Sequence, residues 1–328
     1  MTPTTSRAVL ARAVRRRAGA AVVVVATSLV LVACGEDPRP VSDSTSEPTA
    51  SDGAQQSESP SPSPVESSTG TPTESPTEST SEAPSESGTA VPVYFAGDGP
   101  GGRTALFREF HRVQGDPLTE AARLVAGGGQ PDDPDYRTLW PQMEVASVTA
   151  TDGVLLVQLP SDAFTEAPDG MSRRDARLAL QQLVLTLQGV QQERVPVVVQ
   201  RDAPGLDLFG RPTGTPVSAA SALRTLNLVN ITSPAEGDTV SGDTVTVTGV
   251  ANSFEASGPC RLLQGGQEVA LEGYQSDGWM EDRLFPFEVE LPLGGVTGEV
   301  VVQCETDDPS GGAEGNGPSV DTKTITVR

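Results

Sequence analysis

The chain has 328 residues, a formal net charge of -22, 4% aromatic residues, three cysteines and a single histidine. So acidic a protein repels phosphate backbones and anionic headgroups, which argues against nucleic-acid binding, and one His with three Cys leaves little for metal cages or imidazole catalysis. With 34 Gly and 28 Pro, part of the length is not expected to build a core.

Residues 1–33 read as a signal peptide. Arg7, Arg12, Arg15, Arg16 and Arg17 come with no acid and precede the apolar run Ala18 to Ala33. As a helix that run covers about 24 Å, short of the roughly 30 Å hydrocarbon core. It ends in Leu31-Val32-Ala33-Cys34, which resembles the bacterial lipobox. The resemblance implies that Cys34 carries the lipid (diacylglycerol and palmitate) and begins the exported chain; the plainer alternative is an ordinary signal peptide with an incidental Cys34. Residues 34–90 follow as a Ser/Thr/Pro/Glu-rich linker, as in Ser59-Pro60-Ser61-Pro62-Ser63-Pro64. It has too few large apolar side chains to offset about 1–2 kcal/mol per ordered residue, so a disordered tether is expected. Its Ser/Thr-Pro density suits either O-glycosylation or an unmodified spacer.

The first folded module is expected over residues 91–226. Val91 to Phe95 and Thr104 to Val113 read as paired strands across the Gly97–Gly102 break. The glycines there lead into a strand, so they do not form the phosphate cradle that must open a helix. Asp116-Pro117 is an N-cap with Pro at the first helical position, and Leu118, Ala121, Ala122 and Val125 share one face of a helix ending at Gly127. Met143 to Ala150 and Val154 to Leu159 flank the Asp152-Gly153 turn as a hairpin. A capping-box pattern at Ser172-Arg173-Arg174-Asp175 starts a second helix, expected to end at Gly189, and Arg194 to Gln200 supplies the last strand. The fold class is α+β, two helices on one mixed sheet.

Val93-Tyr94-Phe95, Pro117-Leu118 through Leu124, Leu139-Trp140-Pro141, Val157 to Leu159 with Ala163-Phe164, and Leu178 to Leu187 with Gly189-Val190 together resemble the GerMN domain of sporulation and germination proteins and of actinobacterial lipoproteins. That resemblance implies a non-catalytic, envelope-facing domain related to envelope assembly.

In residues 227–328 the helical period gives way to seven short runs: Leu228 to Thr232, Thr244 to Ala251, Cys260 to Gln264, Glu268 to Gly273, Phe285 to Leu291, Gly298 to Glu305 and Thr322 to Val327. Turn residues between them predict an all-β immunoglobulin-like sandwich. Ile231-Thr232-Ser233-Pro234, Val245 to Gly249 and Ala251-Asn252-Ser253-Phe254-Glu255 resemble Gmad2, the immunoglobulin-like domain that often follows GerMN. Cys260 and Cys304 depart from that pattern. In an immunoglobulin-like order they occupy neighbouring strands, and in an exported domain they are expected to form a disulfide, with two buried thiols as the alternative.

Little chemistry is expected. His111 lies on a predicted strand, and no nucleophile motif of the G-x-S-x-G type occurs. Asp132, Asp133 and Asp135 read as a solvated turn, and Asp307, Asp308, Glu314 and Asn316 lack the spacing of a regular calcium loop. No catalytic residue, metal or cofactor is expected. Asn252, Phe254, Glu255 and Trp279 are the candidate contact residues, with Phe285 and Phe287 assigned to the core. The reading is a non-enzymatic protein, lipid-anchored through Cys34 on the extracytoplasmic face of the plasma membrane. Its modules would bind an envelope protein in a role related to sporulation or germination; the alternative partner is cell-wall glycan or a small ligand of a sensor or transporter.

Overall fold

The computed structural model describes residues 87–308 and 315–328. The signal segment, Cys34, the linker up to residue 86, and Glu314 lie outside the described residues. None of the described helices is long and apolar enough to cross a membrane.

Strands β1 (Thr89–Gly99) and β2 (Arg103–Val113) form a long antiparallel hairpin in which Phe95 faces Phe107 and Val91 faces His111. Helix α1 (Pro117–Ala126) starts as its sequence requires, with the Asp116 carboxylate accepting from the Thr119 amide at 2.8 Å. Strand β3 (Ser147–Thr151) begins later than expected. The preceding residues are tied to α1 instead: the Met143 amide donates to the Ala126 carbonyl, and Arg123 Nε donates to the Val145 carbonyl. β3 pairs antiparallel with β4 (Val154–Leu159), which pairs parallel with β5 (Val197–Arg201) across helix α2 (Arg173–Gln191).

The first module is therefore α+β, but strands β1 to β5 form two sheets rather than one: the hairpin, and a three-stranded mixed sheet. The reason lies in α2. On the edge of β1 away from β2, the Tyr94 amide donates to Thr186 Oγ1 at 3.0 Å, and the Tyr94 carbonyl accepts from Gln182 Nε2 at 3.0 Å. Side chains of a helix thus satisfy the strand edge that a third strand would have paired with. Gln182 is fully buried, and its Oε1 accepts from the Leu139 amide. The capping box at Ser172 and Asp175 forms as expected. The helix runs past Gly189, however, and ends on the left-handed Gln192 at φ 58°. Gly189 serves close approach rather than termination, since a Cβ there would lie 2.7 Å from Pro92 Cγ of β1. Phe95, Leu155, Leu159, Leu183 and Leu187, all essentially inaccessible to solvent, lie in the core that results.

Two short strands, β6 (Asp207–Leu208) and β7 (Arg211–Pro212), and the one-turn helix α3 (Ala222–Thr225) lead into the second module. Its strands are β8 (Val229–Ser233), β9 (Thr239–Val240), β10 (Thr244–Ala251), β11 (Ser257–Gln264), β12 (Gln267–Ser276), β13 (Phe285–Pro292), β14 (Gly298–Glu305) and β15 (Val320–Val327). They form one curled eight-stranded sheet in the order β8-β10-β13-β12-β11-β14-β15-β9. β12 and β13 share only the pairs Gln275–Glu288 and Ser276–Phe287, so the sheet turns its corner there and the two halves face each other over Ile231, Leu262, Leu291 and Val302. This is the immunoglobulin-like arrangement that the strand spacing predicts. Cys260 and Cys304 are direct register partners on β11 and β14 and form a disulfide within the buried core.

Candidate functional site

Alternation along β15 places Asp321, Lys323, Ile325 and Val327 on one buried face. Lys323 is the only lysine of the chain, and it is 3% exposed. Its Nζ donates to Asp133 Oδ2 at 2.5 Å and to Tyr136 Oη at 2.9 Å, and it lies 4.3 Å from the centre of the Tyr136 ring. Tyr136 in turn donates to Asp321, which also accepts from the Ile231 amide at 2.6 Å and from Asn230 Nδ2 at 3.1 Å. Asp133 is 1% exposed. It is therefore not part of a solvated turn, because the second module covers it and supplies its cation. Asp135, at the rim, accepts from Thr322 Oγ1. Burial raises the Asp321 carboxyl above its ordinary range even though Lys323 and Tyr136 pull the other way, and burial with neighbouring acids pushes the Tyr136 phenol well up.

Behind this network, Glu109 accepts from the amides of Asp132 and Asp133 and contacts His111 Nε2 at 3.1 Å; His111 Nδ1 is 3.7 Å from Asp132. His111 is thus a carboxylate-held histidine on β2. Burial lowers its pKa, but the hydrogen bond to Glu109 and the charges of Asp132 and Glu109 outweigh that, so the net shift is upward. Glu109, His111 and Asp132 offer one ligand atom each within 4.8 Å of one another. Both Glu109 oxygens are already engaged by backbone amides, so the cluster orders the 132–133 loop before it can serve an ion.

The structure brings three of the four candidate contact residues to one place and gives the fourth a supporting role. Phe254 and Trp279 pack edge to face at 5.3 Å, with Phe254 44% exposed and the adjacent Met280 76% exposed. Glu255 is exposed beside them. Asn252 points its Nδ2 into the other loop, donating to the carbonyls of Glu281 and Arg283 at 2.8 and 2.7 Å, and so fixes the 281–283 backbone. Phe285 and Phe287 are buried, as expected. Of the seven non-glycine residues with positive φ among the described residues, Glu255, Ala256 and Met280 belong to this patch. Each costs on the order of 1–2 kcal/mol, a strain that collects at functional surfaces.

Between the modules lies a cleft of about 280 Å³. Its apolar wall includes Leu106, Leu185, Leu226 and Leu284, and Arg108, Arg194 and Arg283 contribute charge. Sequence reasoning missed it, because its lining is scattered over residues 94–284.

Residues 92–202 match the Germane family, described as sporulation and spore germination, and residues 228–313 match Gmad2, described as the immunoglobulin-like domain of bacterial spore germination. No curated protein matches the chain. Among solved structures, it is similar to the tandem GerMN domains of the sporulation protein GerM from Bacillus subtilis, at 13% identity over 63% of this chain and 61% of that one, with a TM-score of 0.32. It is also similar to an engineered protein, at 21% identity over 35% of this chain and 22% of that one, with a TM-score of 0.26. This chain thus spans less than two thirds of either structure. It carries a GerMN-type Germane domain followed by a Gmad2 immunoglobulin-like domain.

Proposed function

We propose that this protein is a non-enzymatic envelope protein, lipid-anchored through Cys34, whose second module presents a docking surface to another envelope protein. The Phe254–Trp279–Met280 patch carries the reading: Phe254 and Met280 are exposed, the half-buried Trp279 packs against Phe254, Glu255 and Met280 have left-handed backbone, and Glu255, Glu281 and Asp282 form an acidic rim. The buried Lys323–Asp133 pair supports it by fixing one module against the other. The Germane and Gmad2 matches favour interaction over catalysis, and His111 is engaged by carboxylates, not by a nucleophile.

The test places a photoreactive residue at Met280 in cells. A crosslink to a membrane protein that disappears in Phe254→Asp is expected. Retention of the chain on purified peptidoglycan without any such crosslink would replace the protein partner with a glycan. The anchor is tested separately, by palmitate labelling that is lost in Cys34→Ala.

A further inference from the structure

We infer that the cleft between the modules is a binding site for a small carboxylate with a branched aliphatic body. Three arginines and one acid, Glu193, line it, in a chain that has 44 acids and 22 bases. Among the lining residues the balance is thus the reverse of the global one, with Glu281 and Asp282 standing just outside the lining. Arg108 and Arg194 come from the first module and Arg283 from the second, so the charge assembles only when the two are joined. Arg108 lies with its guanidinium carbon 5.0 Å from the Phe110 ring centre and donates from Nη2 to Thr232, while its buried Nε has no acceptor among the described residues. Arg283 lies 4.3 Å from the Phe285 ring centre, and its Nε contacts Glu281 at 2.9 Å. Asp282 feels the charge of Arg194. Guanidinium planes are suited to carboxylates.

The walls are held in place before any ligand arrives. Gln181 of α2 clamps the 218–220 segment through the Ser218 carbonyl and the Ala220 amide. Asp282 accepts from Ser221 Oγ and the Leu223 amide, and Asn252 holds the backbone that presents Arg283. A preformed site loses less ordering entropy on binding. A cavity of about 280 Å³ falls at the small end of ligand sites, which selects a compact molecule over a long chain. The leucine side chains select an aliphatic body over a bare anion.

Calorimetry on the full chain tests this with N-acetyl-L-leucine, its neutral amide and inorganic phosphate. One-to-one binding of the acid is expected, with the amide and phosphate each at least ~10-fold weaker, and with a loss of at least ~10-fold in affinity in the Arg194→Gln/Arg283→Gln variant, about 1.4 kcal/mol or more. Both of these side chains are exposed, so the variant retains its fold, as circular dichroism verifies. Asn252→Ala, which frees the backbone that presents Arg283, also weakens binding of the acid. No heat with the acid, equal binding of the amide, or unchanged affinity in the double variant overturns the proposal. A short peptide ending in leucine that binds ~10-fold tighter than the acid replaces a free acid with a peptide end as the ligand.

Discussion

Replacing Lys323 with Met removes the only cation from a buried group of Asp133, Asp321 and Tyr136 while keeping the volume of the stem. The Lys323 and Asp133 side chains are 4% and 2% exposed, so water cannot substitute for the lost amine. Breaking a buried pair from one side costs about 3–5 kcal/mol. With a urea slope of about 2 kcal/mol/M, the midpoint should fall by about 1.5–2.5 M. The sign of the pH effect is fixed as well. Lys323 pulls the Asp321 pKa down against burial, so its removal raises that folded-state value further above the unfolded one. Stability carried by a protonated buried carboxyl is present below the unfolded pKa and lost as pH rises through the folded one. The variant should therefore lose more at about pH 7 than at about pH 4. Trp140 lies in the first module and Trp279 in the second, so Trp140→Phe and Trp279→Phe backgrounds report each module by fluorescence. Both should unfold together in the parent chain, and Lys323→Met should separate their transitions. A midpoint shift worth less than about 1 kcal/mol, with the transitions still coincident, would refute the view that this pair joins the modules.

Reduction of the Cys260–Cys304 bridge, or Cys260→Ala with Cys304→Ala, should cost about 2–5 kcal/mol; the sequence separation of 44 gives about 4 kcal/mol from loop entropy. An unchanged urea midpoint would show that the bridge is dispensable. His111→Asn should destabilise the chain more at about pH 5 than at about pH 8. A raised histidine pKa contributes stability that is complete below the unfolded value of about 6.5 and fades as pH rises through the folded one. Equal losses at both pH values would mean that Glu109 and Asp132 do not hold an imidazolium.

Much of the fold was legible because local signals agreed: the Asp116 cap, the Ser172 capping box, and strand alternation with turns between. Gly189 misled because its role depends on Pro92, far away in the chain. The single mixed sheet failed for a similar reason, since a glutamine and a threonine on α2 close the edge of β1. At the candidate site, Phe254 and Trp279 were visible as out-of-place aromatics, but their contact was not. The Asp133 pairing was missed although a sign of it existed: Asp321 and Lys323 alternate in step with Ile325 and Val327, so the strand period already points both charges inward. What no period could supply was the partner, 190 residues away. The arginine cleft was illegible for the same reason, its charges being split between two modules.

The position of Lys323 also decides how this molecule meets reagents. With the one lysine sealed inside, the folded surface offers no side-chain amine to acylating labels, imine-forming sugars or amine-directed crosslinkers. Attachment chemistry aimed at lysine will report unfolding rather than neighbours. Carboxylates, which the chain has in excess, are the handles through which its surroundings can be mapped.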